Sequence, residues 1–205
     1  MNRVIHGAVR RDLTRFVAAL QSFPPGDAGR ARQLADAWAN FDTQLTEHHE
    51  GEHRIAWPAL RQVGVSDEQI ATFDSEHEAM AAALAAAGAA IGELTRSPGS
   101  DEAAQALAAL QHLEVVTTRH LDHEEAEIEL VYQANRDAPA IKAMGRALGK
   151  VSPGQGGQFF AWVLDGISPE AKAALTSEVP RPVLSILNGA FGRSYRATVA
   201  PVWRT

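Results

Sequence analysis

Apolar side chains recur along the first two thirds of the chain at intervals of three and four. His6, Val9, Leu13, Phe16, Leu20 and Phe23 keep that spacing, which lays them on one face of an α-helix. The stretch "FPPGDAG" (23–29) then breaks the helix. A second segment runs through Ala31, Leu34, Trp38, Phe41, Leu45, His48, Glu52, Ile55 and Ala59. Pro58 lies inside it and is expected to kink or end that helix, because proline lacks an N–H and crowds the preceding turn. Gly64 follows, and Ser66 with Gln69 reads as a capping box. The third segment places Ile70, Phe73, His77, Met80, Leu84, Ala87, Ile91 and Leu94 on one face. After "SPGSD" (97–101), the fourth does the same with Leu110, Leu113, Thr117, His120, Glu124, Ile128 and Val131.

Four amphipathic segments joined by short links predict an all-α protein whose residues 1–135 form an up-down-up-down four-helix bundle. Residues 136–205 follow a different pattern. "KVSPGQGGQ" (150–158) reads as a loop, "ISPEAKAAL" (167–175) as a short capped helix, and "VPRPVLSILNGAF" (179–191) as another. Phe159, Phe160, Trp162 and Trp203 need a surface to bury against. This segment is expected to be a C-terminal helical extension packed on the bundle, not an independent domain.

Composition narrows the function classes. The chain has 205 residues, is 45% hydrophobic and carries a net charge of −6. That is enough apolar material for a core, and no basic run suggests nucleic acid. The absence of cysteine excludes disulfides, thiolate metal sites and thiol catalysis. The start "MNRVIHGAVRRDL" lacks the apolar core of a secretion signal, and the apolar run 79–92 is short for a membrane span. The expected location is the cytoplasm, with no membrane partner.

The chemistry lies in the polar residues that interrupt the apolar stripes. These are His6, His48 with Glu52, His77, and His120 with Glu124. A single histidine on such a stripe is ordinarily structural, but here every helix carries one. A carboxylate in a bundle core is costly unless paired or bound to a metal. Both carboxylates lie four residues after a histidine, on the same helix face. At about 1.5 Å of rise per residue, the heights along antiparallel helices agree within about one turn. The six residues therefore converge on one layer. Imidazole and carboxylate without thiolate suit iron, manganese or zinc, and paired carboxylate–histidine motifs inside bundles favour two metals. His49, rotated about 100° from His48, could reach a second metal from the edge of the seam. His53 and His123 fall one step off their stripes, as solvated residues or as partners that orient a ligand. Glu125 is an alternative to Glu124 if the helix is rotated slightly. His112, Glu47 and Glu50 read as surface residues.

The pieces "IHGAVRRDL" (5–13), "HHEGEHRIAWPAL" (48–60), "SEHEAM" (75–80) and "HLDHEEAEIEL" (120–130) together resemble the hemerythrin-like family with its HHE cation-binding domain. The resemblance implies a non-haem site of two iron ions, bridged by carboxylate and by oxo or hydroxo groups, with iron ahead of manganese or zinc. Residue by residue it assigns His6, His48, His77 and His120 as histidine ligands. Glu52 becomes the first bridging carboxylate and Glu124 the carboxylate of the last pair. The sequence departs from the oxygen carriers at Ala81, where they have a second third-helix histidine. His49 would compensate, as the residue at that position does in iron-sensing relatives.

The departure leaves the role open. One reading is a protein that binds O2, peroxide or NO, or senses or stores iron. Another is an oxidase, peroxidase or catalase-like enzyme acting on a small molecule, with the extension roofing the site. A third is a structural bundle with a vestigial site, whose extension serves homodimerisation.

Overall fold

The computed structural model describes residues 1–204, so Thr205, the end of the expected extension, lies outside the described residues. Helices α1 (Asn2–Gln21) and α2 (Ala28–Gly51) are followed by a π-helical turn (Glu52–Ala56) and the short α3 (Trp57–Gln62). Then come α4 (Asp67–Arg96) and α5 (Ser100–Asn135). The remainder comprises α6 (Pro139–Leu148), α7 (Pro153–Leu164), α8 (Pro169–Glu178) and α9 (Arg181–Ile186). A second π turn (Leu187–Phe191), α10 (Arg193–Thr198) and a 3-10 turn (Ala200–Trp203) complete it. No strand occurs among the described residues. α1, α2, α4 and α5 form the bundle, with α5 against α1 and α4, and α2 closing the ring against both of the others.

The helix ends follow local chemistry. Ser66 caps α4 with the full capping box to Gln69, an arrangement worth about 1 kcal/mol. Gly26 and Gly64 take positive φ in the links before α2 and α4, a conformation glycine adopts without Cβ strain. Regular α2 ends at Gly51, and Pro58 stands in the first turn of α3. Between them the chain widens into the π turn, in which the Trp57 N–H reaches back five residues to the Glu52 carbonyl. The wider turn makes room where the proline ring would crowd the carbonyl four residues back.

Two apolar clusters fill the interior. The larger one combines Val9, Leu13, Phe16, Leu34, Phe41, Leu45, Met80, Ile91 and Leu113 with Trp162, Leu175, Tyr195 and Val202 of the C-terminal segment. The smaller one comprises Trp57, Leu60, Ile70, Phe73, Ile128 and Ile141, with Tyr132 packed against it. Fully burying each such side chain contributes about 1.5–3 kcal/mol. Along α2 with its π turn, α4 and α5, the buried histidines and glutamates fall between residues of these two clusters, and on α1 His6 lies within the first, between Val4 and Ala8. α4 is apolar enough to cross a membrane on length and composition alone, with a mean hydropathy of 1.2. In the bundle it forms one wall, turning Phe73, His77, Met80, Ala83 and Ala87 inward.

The C-terminal segment docks on α1 and α2. The Trp162 indole N–H donates to Asp12 Oδ2 (2.7 Å), and Arg11 donates to Asp12 and to the Asp165 carbonyl. Tyr195 donates its hydroxyl to Asp165, and Arg15 lies 3.2 Å from the same carboxylate. Trp203 meets Phe16 edge-on at 5.0 Å. Residues 153–158, expected as a loop, are helical instead. A Cβ at Gly157 would lie 2.2 Å from the Phe191 Cβ and 2.8 Å from the Leu187 carbonyl. Glycine here serves close packing of α7 on the second π turn, which a one-dimensional pattern reads as a break.

Candidate metal centre

Each bundle helix delivers its histidine to the polar layer. His6 is fully buried near the start of α1, His77 sits within α4, and His120 and Glu124 lie one turn apart on α5. α2 ends with His48 and His49, and Glu52 opens the π turn. Two groups of donor atoms result. His49, Glu52, His77 and His120 form one, and His6, His48, Glu52 and Glu124 form the other, with donors in each group within 4.8 Å of one another. Glu52 belongs to both. His49 stacks on His77 at 4.2 Å. Ala81 is exposed on α4, so the seam position one turn beyond His77 is unavailable and α2 fills the gap with His49.

Ring nitrogens converge on the layer. His77 Nε2 lies 3.1 Å from His120 Nε2, and His48 Nε2 lies 3.3 Å from His6 Nε2. The opposite nitrogens are held from outside. His120 Nδ1 is 2.9 Å from Glu76, and His6 Nδ1 is 2.9 Å from Glu125, which also accepts from Arg10. Donation of those N–H groups outward turns the Nε2 lone pairs of His120 and His6 into the layer.

The electrostatics agree. Burial, reinforced by the positive charge of His6, pushes His48 down to about 3. Burial and the neighbouring His120 and His53 bring His77 to about 3. His49 is driven well below its ordinary value by burial and by His48 and His77. Burial also lowers His120 despite Glu76. Glu52 is pushed well above the carboxylate range by burial and by Glu124. Burial would raise Glu124 too, but the adjacent His6 prevails and holds it at about 2. His6 is raised, because Glu124 and Glu125 outweigh its burial.

Unsatisfied atoms mark the same place. Glu52 Oε2, Glu124 Oε2 and His49 Nε2 are buried without a hydrogen-bond partner. His6 Nε2 and Glu124 Oε2 are 3.1 Å apart, at an angle that makes no hydrogen bond. Buried polar groups are normally satisfied, and a cation in each donor group would satisfy them. The donor set therefore fits a borderline transition-metal ion, with nitrogen and oxygen ligands and no sulfur.

Several contributors escaped the sequence pattern. Glu76 holds both His120 and His123, Asp74 lies 3.3 Å from His53, and Asn2 donates to Glu124 Oε1 at 2.8 Å. None lies on an apolar stripe, and charged residues flank every helix, so spacing alone does not single them out. Glu125 supports His6 from outside while Glu124 joins the donor group. His53 and His123 adjoin the layer through His77 and Glu76. His112, Glu47 and Glu50 are exposed.

A helical bundle with a buried histidine–carboxylate layer defines the class of cation-binding bundle proteins. The hemerythrin HHE cation-binding domain matches residues 3–129. The chain belongs to that family. No curated protein and no solved structure matches the chain.

Proposed function

We propose that this cation-binding domain holds two iron ions and binds or activates a small dioxygen-type ligand: O2, peroxide or NO. The observation that carries the reading is Glu52, shared by two four-residue donor groups. A carboxylate between two such groups suits a pair of ions. Two irons would supply the electrons with which such ligands are bound reversibly or reduced. The protein's own residues orient and shield. Glu76 and Glu125 fix the tautomers of His120 and His6, and the apolar clusters on either side keep bulk water from the layer. His6, Glu52, His77, His120 and Glu124 are each no more than 5% exposed, which favours a diatomic ligand over a bulky organic substrate. Elemental analysis with an optical spectrum tests this reading. It expects about two irons per chain and a near-ultraviolet band that changes when the reduced protein meets air or peroxide. Zinc alone, or no metal after iron reconstitution, refutes it.

One observation favours a second reading, an oxidase or peroxidase. An open cleft of about 250 Å³ lies between α2 and the C-terminal segment, lined by residues that include Asn40, Gln44, Gln158 and Thr198. Gln44 is one turn before His48 on α2. Sustained peroxide consumption or small-molecule oxidation, weakened by Gln44→Leu, would select this reading. A stable adduct without turnover selects the carrier or sensor.

A further inference from the structure

Beyond the buried layer, a chain of donors runs outward through His77. Its Nδ1 lies 3.3 Å from His53 Nε2, and His53 Nδ1 lies 3.3 Å from Asp74 Oδ1. The path leads from a buried to a half-exposed position, with side-chain exposure of 5% at His77, 47% at His53 and 36% at Asp74. His53, Asp74 and His77 form a third group whose donor atoms lie within 4.8 Å of one another. The Trp57 indole donates to Asp74 Oδ1 at 2.7 Å and lies nearly parallel to the His77 ring at 5.8 Å. Both ring and carboxylate are therefore held in place, with Asp74 Oδ2 still available. His53 itself lies in the π turn.

We infer that His53, Asp74 and the Nδ1 side of His77 form an outer docking site for a divalent first-row transition cation, from which the buried groups are loaded. Two ligands about 2.0–2.2 Å from one ion sit roughly 3–3.5 Å apart, which the His53–His77 separation matches. Two nitrogens and a carboxylate suit Fe²⁺, Co²⁺ or Zn²⁺. His77 makes the outer and inner sites exclusive. A neutral imidazole has one lone pair and one N–H. When His77 gives its Nε2 lone pair to a buried ion, its proton sits on Nδ1 and faces His53. When Nδ1 holds an outer ion, Nε2 carries the proton. An ion held at His77 Nε2 therefore leaves the outer site without its His77 donor. The loading role rests on the buried layer binding cations, whereas the outer site does not.

Cobalt(II) uptake by the metal-stripped full chain tests this, read by d–d absorption and elemental analysis. His53→Ala and Asp74→Asn should slow loading about tenfold while the final ion count of the wild type is kept. Asp74→Asn retains an oxygen acceptor for Trp57, and circular dichroism verifies the fold of both variants. In a Glu52→Gln, Glu124→Gln background, adding His53→Ala should lower the count by one ion. Wild-type loading rates together with an unchanged count in that background would overturn the inference. If the wild type and that background bind the same single ion and His53→Ala removes it, the outer site stands and the buried reading falls.

Discussion

Glu52 carries two opposed demands. As a shared donor it must be ionised, yet burial and Glu124 push its carboxyl well above the carboxylate range in the cation-free protein. A carboxyl raised in the folded state favours folding at low pH and loses that contribution as pH rises above 4.5. Glu52→Gln should therefore leave the thermal midpoint of the metal-stripped protein at neutral pH equal to or above that of the wild type. The same variant should lose the increase in midpoint that cation loading brings. Differential scanning calorimetry with and without added iron(II) measures both. The histidines act in the opposite sense. His48 falls from 6.5 to about 3 on folding, so its contribution is full above 6.5 and is lost as pH falls toward 3. Between pH 7 and pH 5 the metal-stripped wild type should lose about 2 kcal/mol that His48→Gln does not. Urea titrations at the two pH values give the difference directly. Equal slopes for the two proteins would show that folding does not lower the His48 pKa.

At the scale of elements, the two π turns stand where the regular helix fails. The first follows Glu52 and absorbs Pro58, so the helical path carries Glu52 and His53 to α4 and then continues into α3. The second packs on Gly156 and Gly157 of α7. By helix propensity alone, Gly157→Ala would stabilise α7 by about 1 kcal/mol. Contact reverses the sign, because the new Cβ would overlap backbone as well as side chain of the second π turn. Overpacking of this kind costs about 1–3 kcal/mol. Gly157→Ala should lower the midpoint of chemical denaturation, whereas Gly154→Ala, whose Cβ would meet nothing within 4 Å, should not. A neutral Gly157→Ala would mean that α7 and the second π turn are less closely packed in solution.

Across the whole molecule, the C-terminal segment is held by a buried polar latch as much as by apolar contact. Asp12 is 1% exposed and accepts from Arg11, Arg15 and Trp162. Asp12→Asn removes the charge that compensates the two arginines and weakens the acceptor for the indole. The expected cost is about 1–3 kcal/mol, with faster proteolytic cleavage beyond Asn135. Limited proteolysis followed by mass spectrometry locates the cuts. Unchanged cleavage would show that apolar burial alone secures the segment. Because α1 carries both Asp12 and His6, cation affinity after the substitution also reports whether the latch supports the metal layer.

The apolar spacing of each long helix, and the interruption of each by histidine or glutamate, was legible along the chain. Helical periodicity is a local property, and a buried carboxylate without chemistry is too costly to leave unexplained. The pairs His48 with Glu52 and His120 with Glu124 belong to that local information. Tertiary structure decided what depends on contacts between distant segments. It brought His49 into the donor group at the level of His77, and it set Glu125 behind His6 and Glu76 behind His120. It also turned a glycine-rich stretch into a helix that packs at close range on a π turn. Hydrogen bonds across helices and the room for a Cβ depend on which surfaces meet, and no spacing along one helix encodes that.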